Sequence, residues 1–410
     1  MRGIHLFNHD WLYIPQQVTS DTPDSDFGAV TIPHSNVELP WHNFHDNEYQ
    51  FVSTYRKRFT LPAERKGRRV YLDFAGVMTA ATVTINDHTF DEHKGGFVPF
   101  SYDITDYLDD EGENLLQVSV DSRERADIPP HGGQVDYLVF GGIYRDVHLH
   151  YVDPVHITKV RVKTFNVLTD APHAEVDVWV KNTGDEAADF ELGVHLHAGH
   201  MNDDGTIDSL IQDSRTEQIA AATEAVFSMS FSDLEDIRLW SIADPYRYAC
   251  HVELGLDQQQ VDDYGAFLFG FREAQFREDG FYLNGERVFL RGLNRHQMYP
   301  FVGAAVSARL QARDADIIKE MGCNIVRCSH YPQDKAFLDR CDAIGLLVFE
   351  EIPGWQHIGD ENWQDSSLRD VRAMIERDWN HPSIVVWGVR INESWDNTEF
   401  YTQTNQLARE

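Results

Sequence analysis

Few cysteines, few bases and no long apolar run mark this chain, and each shortage removes a class of protein. Its four cysteines, Cys250, Cys323, Cys328 and Cys341, are spread through 410 residues without a CxxC pair. That argues against a disulfide scaffold or a thiolate metal cluster and leaves buried free thiols as the expectation. Lysine and arginine number 35 against 67 acids, a formal charge of −32. So negative a molecule repels phosphate backbones and anionic lipid heads, so neither nucleic acid nor membrane is an expected partner. No stretch approaches the roughly 20 apolar residues of a membrane span, and Met1 to Pro15 lacks the apolar core of a signal peptide. The expected location is cytoplasmic. GxGxxG, P-loop and GxSxG motifs are also missing, so dinucleotide, nucleotide and serine-hydrolase readings lose their anchors.

What is present is a chain 42% hydrophobic and 12% aromatic, rich enough for a core and too long for one ordinary domain. Two grammars divide it near residue 280. Before that point, short runs rich in Val, Ile, Tyr, Phe and Thr alternate in polarity between Asn, Asp, Gly and Pro, which is a β-sandwich pattern. RRVYLDFAGV (68–77), AATVTIND (80–87), NLLQVSV (114–120) and GIYRDVHLHYV (142–152) form one set. HITKVRVKTF (156–165), AEVDVWVKN (174–182), DFELGVHLH (189–197), AVFSMSF (225–231) and YRYACHVEL (246–254) form a second, after Asp153-Pro154. The pattern predicts two sandwiches, over 1–153 and 154–272.

From 273 onward, strand-like and helical runs alternate, as in parallel βα units. The strands are expected at 287–294, 323–329, 346–352 and 383–389. Ser307 is the expected cap of a first helix with Leu310, Ile317, Ile318 and Met321 on its buried face. A second helix carries Phe337, Leu338, Cys341 and Ile344 and stops at Gly345; a third carries Leu368, Val371, Met374 and Ile375. About four such units make half of an eight-unit barrel.

Polar residues gather where a barrel does chemistry, at the C-terminal ends of its strands. Arg291, Asn294, Arg295 and His296 follow the first; Arg327, Ser329, His330 and Tyr331 the second; Glu350 and Glu351 the third; Asn392 and Glu393 the fourth. Carboxylates, imidazoles, an amide and an arginine around an open pocket suit sugar chemistry, in which an acid protonates the leaving oxygen and polar groups hold hydroxyls. Glu350, Glu351 and His357 lack the spacing of a metal-ligand set, so neither metal nor other cofactor is expected.

Two stretches then carry a family likeness. Asn324-Ile-Val-Arg-Cys-Ser-His-Tyr-Pro332 and Asn380-His-Pro-Ser-Ile-Val-Val-Trp-Gly-Val-Arg-Ile-Asn-Glu393 resemble the two signatures of glycoside hydrolase family 2, the β-galactosidase and β-glucuronidase family. The resemblance implies a multidomain β and α/β fold: a jelly-roll β-sandwich, an immunoglobulin-like β-sandwich and a partial (β/α)8 TIM barrel. It implies that Glu393 is the general acid/base, that Asn392 holds the sugar 2-hydroxyl, and that His330 and His296 bond ring hydroxyls. It further implies that Arg327 orients the nucleophile and that Asp136, six residues before Gly142, is lent to the sugar pocket by the first sandwich. Where large β-galactosidases place an acid two residues before a histidine to bind magnesium, this chain has Trp355 before Gln356-His357; Trp355 is read instead as an aromatic wall for the sugar.

The same resemblance implies a second glutamate, the nucleophile, on a later barrel strand, and no residue here matches it. The expectation is therefore a partial chain of a retaining exo-β-glycosidase, β-galactosidase first and β-glucuronidase as the alternative. A homo-oligomer or a complementing chain carrying the rest of the barrel is the expected protein partner. An alternative of another class remains: a carbohydrate-binding or interaction protein using loop aromatics such as Trp41, Phe97 and Tyr137.

Overall fold

Two antiparallel sheets enclose the first core. Gly3–Leu6, Val147–Val152, Arg69–Phe74 and Phe100–Asp103 form one; Gly28–Val30, Trp11–Ile14, Val52–Phe59, Asn114–Asp121, Ala80–Ile85 and His88–Thr89 run across the other. The computed structural model describes all of the chain except residues 1, 40–44, 46–47, 63–64, 66, 133–134, 202–205 and 233, so Trp41 lies outside the described residues. Strict alternation builds this sandwich. Along Asn114–Asp121 every second residue is buried, and Leu116, Val118 and Val120 meet Val70, Leu72 and Phe74 of the facing sheet. Val52–Phe59, at the centre of its sheet, is absent from the strands expected above because VSTYRKRF carries three consecutive bases. Arg56 is nonetheless fully buried, donating to the carbonyls of Thr22 and Thr19, to Gln117 and to Asp24; those acceptors offset its desolvation.

The second sandwich is immunoglobulin-like. Val155–Phe165, His173–Asn182 and Thr223–Phe231 pack on Ser209–Ile219, Ala188–Ala198, Tyr248–Leu256 and Gln259–Phe269. Val176, Val178 and Val180 face Leu192, Val194 and Leu196 across its core. Ser209–Ile219 and Gln259–Phe269 also escaped the sequence pattern. They are the two outer strands of their sheet, and Ser209–Ile219 is largely wet on both faces.

A three-stranded antiparallel sheet, Ala274–Arg277, Gly280–Leu283 and Glu286–Val288, leads into the barrel units. The expected strand at 287–294 is thus two strands, broken at the exposed Phe289. The barrel part follows as β1 (Gly292–Arg295), α1 (Ala308–Glu320), β2 (Ile325–Cys328), α2 (Lys335–Ile344), β3 (Leu347–Glu351), α3 (Glu361–Asp378), β4 (Ile384–Gly388) and α4 (Thr398–Arg409). The four strands pair in parallel in chain order. Gly292 lies against the Ile325 carbonyl, where any Cβ would collide with it at 2.0 Å. Capping is explicit: Asp334, Asp360 and Asn397 accept backbone N–H bonds at the starts of α2, α3 and α4, and Gly345 ends α2 in the left-handed region at φ 69°.

α1 departs from expectation. Ser307 stands at its N-cap position without a side-chain bond, and the buried residues are Gln311, Ala315 and Ile318. Leu310, Ile317 and Met321 are exposed. The helix is rotated because the buried Arg295 donates to Gln311 at 2.6 Å and pairs with Asp314 at 2.6 Å. Two polar partners therefore face the sheet.

Candidate active site

The period-two alternation of the parallel strands sorts neighbouring polar residues onto opposite faces. Asn294 of β1 and His296 just past its end turn to a cavity at the C-terminal ends of the strands, while Arg295 between them is buried against α1 and the Phe337 ring. On β3, Glu351 turns inward, and Glu350 turns to α3, where Arg377 pairs with both it, at 3.1 Å, and Asp378, at 2.6 Å. The cavity has a volume of about 560 Å³. Asp136, His296, Arg327, His330, Trp355, Asn392 and Glu393 all line it, with Tyr137, Leu138, Asn294 and Met298. The structure thus brings together every site residue named from the sequence.

Glu351 is the fixed point of the cluster. It is buried, accepts from Arg327 Nε at 2.6 Å and meets His330 Nδ1 at 2.8 Å. A carboxylate only accepts, so Nδ1 of His330 carries a hydrogen, and Nε2 is left for a ligand. Arg327 Nη2 then donates to Asn392 Oδ1 at 2.9 Å. Because guanidinium only donates, this bond fixes the amide's orientation and turns its NH2 outward as a donor. The resemblance assigned Arg327 to orienting a nucleophile; here its partners are Glu351 and Asn392.

The sheet is extended past its strands to hold Glu393. Trp355 and Asn392 form a parallel bridge, and Gln356 N–H donates to the Asn392 carbonyl at 2.8 Å. Gln356 and Glu393, the next residues on each side, both adopt left-handed backbone at φ 57° and 53°. Such conformations cost non-glycine residues on the order of 1 kcal/mol and concentrate at functional sites. The turn exposes the Glu393 carboxylate, which accepts from Gln356 Nε2 at 3.0 Å. Glu351 stood among the strand-end acids of the sequence, but its role as the hub that holds Arg327 and His330 was not anticipated; for the Gln356 contact to Glu393 the sequence held no signal.

The first sandwich closes the other side. Its loop carries Asp136 and Tyr137 into the cavity wall, Phe97 stacks on Tyr331 at 4.3 Å between ring centres, and Arg145 of GGIYRDV donates to the Pro332 carbonyl at 2.7 Å. Phe97 is thus interdomain packing. Tyr331 in turn bonds His296 Nδ1 and the Gln297 N–H, each at 3.2 Å. Burial first, then the neighbouring His330, pulls the His296 pKa down to about 4, keeping the ring neutral.

Glu350, Glu351 and His357 do not converge: the first faces α3, the second bonds Arg327 and His330, and His357 packs edge-on against Trp363. Among the described residues, Asp339, Asp342 and His381 form the one group of three with ligand atoms within 4.8 Å of one another. They sit beside the start of β4, away from the cavity, and His381 is already bonded to Asp342 at 2.5 Å. All four cysteines are free, three of them buried and Cys323 half-buried.

Models of glycosyl hydrolases family 2 match three successive stretches: the galactose-binding domain-like model at 32–135, the central family model at 155–272 and the TIM barrel domain at 274–409. A β-galactosidase of Thermoanaerobacter pseudethanolicus is 44% identical over 414 residues, covering 99% of this chain and 54% of that protein. A β-glucuronidase of Bacteroides fragilis is 30% identical over 425 residues, covering 99% of this chain and 59% of its own length. Among solved structures, Bacteroides uniformis β-glucuronidase 2 bound covalently to cyclophellitol-6-carboxylate aziridine matches with a TM-score of 0.87 at 30% identity, over 99% of this chain and 50% of that one. The chain spans about half the length of these relatives.

Proposed function

Because the chain belongs to glycosyl hydrolase family 2, we propose that its cavity is the sugar-holding half of a β-glycosidase active site and that the whole protein hydrolyses terminal β-linked sugars with retention. The observation that supports this most is the Asn392–Glu393 pair, held at the barrel rim by Arg327, Glu351 and Gln356. Glu393 is the general acid/base: with Gln356 on one oxygen, the other is free to protonate the glycosidic oxygen and later to take a proton from water. The outward amide of Asn392 donates to the sugar 2-hydroxyl, a bond that strengthens as the oxocarbenium-like transition state develops. His296, His330 and Asp136 hold the remaining hydroxyls, and Trp355 walls one face of the ring.

A retaining mechanism needs a second carboxylate about 5 Å from the first. We assign it to a barrel strand beyond β4, in the part of the relatives' length that this chain does not span, reached in the whole protein or through a complementing chain. The β-galactoside is the preferred substrate, on the greater identity to relatives named β-galactosidase, at 44% and 42%, and on a charge of −32 that disfavours anionic sugars at long range. Turnover of nitrophenyl β-galactoside and β-glucuronide by the whole protein tests both points. Glu393→Gln is expected to lower turnover by about 10²–10⁴-fold while leaving sugar binding in place; an undiminished rate would remove Glu393 from the mechanism.

A further inference from the structure

We propose that Tyr137 is a specificity-determining residue of this cavity, its phenolic hydroxyl hydrogen-bonding a ring hydroxyl of the bound hexopyranoside beside Asp136 and His296. This rests on the sugar-site reading above and extends it to a group that reading leaves idle.

Tyr137 lines the cavity yet is only 8% exposed. Its ring is held by four others: His296 at 5.0 Å between centres, Tyr331 at 5.5 Å, His330 at 6.0 Å and Trp355 at 6.3 Å. All of that packing would be available to phenylalanine. The hydroxyl, by contrast, is buried and has no hydrogen-bond partner among the described residues, whereas buried phenols ordinarily find one. The adjacent Tyr331 makes the difference plain, since its hydroxyl is engaged by His296 and the Gln297 N–H. One tyrosine is used for positioning, and the other lines the pocket while its buried hydroxyl keeps an unused donor and acceptor. Burial pushes the Tyr137 hydroxyl well above its usual range, so it remains protonated and able to donate. Three of its four ring neighbours also line the cavity, so the group that satisfies it comes from the ligand. A neutral sugar hydroxyl fits, being donor and acceptor at once.

The test is calorimetric titration of methyl β-D-galactopyranoside and its monodeoxy analogues into the wild-type chain and Tyr137→Phe, with unfolding temperatures measured alongside. The variant is expected to melt no lower than wild type and to bind the parent galactoside about 3–10-fold more weakly. One monodeoxy analogue should lose the same factor on wild type and nothing further on the variant, the coupling that a direct bond requires. Equal affinities for the parent sugar, or identical losses for every analogue on both proteins, would overturn the role of Tyr137 while leaving the sugar site standing. A folded wild type that binds neither this galactoside nor methyl β-D-glucuronide would overturn the sugar site, and this inference with it.

Discussion

Glu350 and Glu351 are neighbours in β3 with opposite fates, and the two faces of the sheet differ in the same way. Outward, Glu350, Arg377 and Asp378 form a cluster buried against α3, in which Arg377 also donates to the Gln333 carbonyl at 2.8 Å and Glu350 Oε2 has no hydrogen-bond partner among the described residues. Burial, and then the Asp378 carboxylate, push Glu350 well up despite Arg377. Inward, Glu351 holds Arg327 and His330, but this network ends in atoms with capacity to spare: the Asn392 amide, His330 Nε2 and the Glu393 carboxylate at the cavity wall. Residue type does not separate a structural ion cluster from a site. What separates them is whether the spare hydrogen-bonding atoms of the network reach the cavity.

Breaking the outward cluster should have the largest effect. Arg377→Ala strips the counter-charge from two buried acids and is expected to cost about 3 kcal/mol in urea unfolding, the low end for a broken buried pair because Glu350 can take up a proton. Sugar affinity of the folded variant should be unchanged; a matching loss of affinity would mean that the two faces are not separate. Breaking the inward hub gives the converse. Glu351→Gln keeps the shape but exchanges a charged acceptor for an amide, loosening Arg327 and His330. About a tenfold loss of sugar affinity is expected, with less loss of stability than Arg377→Ala causes.

The smallest effect is a pH dependence. Burial pulls His34, His131 and His296 down to about 4 and His93 to about 3. These rings are neutral in the folded chain, whereas an unfolded histidine binds a proton below about pH 6.5. The unfolded state therefore gains protons first, and stability falls as pH drops from about 6.5 toward 4. Asp370, raised by burial to about 6, opposes this in the same window, as do Glu350 and Asp339, which burial also raises, and His381, raised against its burial by Asp342; His150, His156 and His195, pulled down by burial, add to it. Melting should be lower at pH 5 than at pH 7.5; the reverse order would mean that these histidines are hydrated in the folded state.

Much of this organisation was legible in the letters, and the failures share a cause. Strands with one wet and one dry face alternate visibly, as in NLLQVSV, and short parallel strands read as apolar runs between helices. Val52–Phe59 and Ser209–Ile219 escape the pattern because one hides a buried arginine bonded through its terminal nitrogens and the other is wet on both sides, so neither alternates. The α1 face was misjudged because polar contacts from Arg295, invisible in a single helix's periodicity, set its rotation. Of the polar residues that stood out at strand ends, Asn294, His296, Arg327, His330, Asn392 and Glu393 meet at one cavity, while Arg295 and Glu350 turn to the helices. Their connectivity, above all the Glu351 hub and the Gln356 contact to Glu393, depends on distances between segments that no local pattern encodes.

A crystal structure of the chain soaked with galactose tests the account most directly. The account predicts sugar density in the cavity, with the ring between Asp136 and Asn392 and hydroxyls within hydrogen-bond distance of His296, His330 and the Asn392 amide. Density confined to the sandwich loops, with the cavity holding only water, would contradict the inward face as a sugar site and favour a carbohydrate-binding protein that uses its sandwiches.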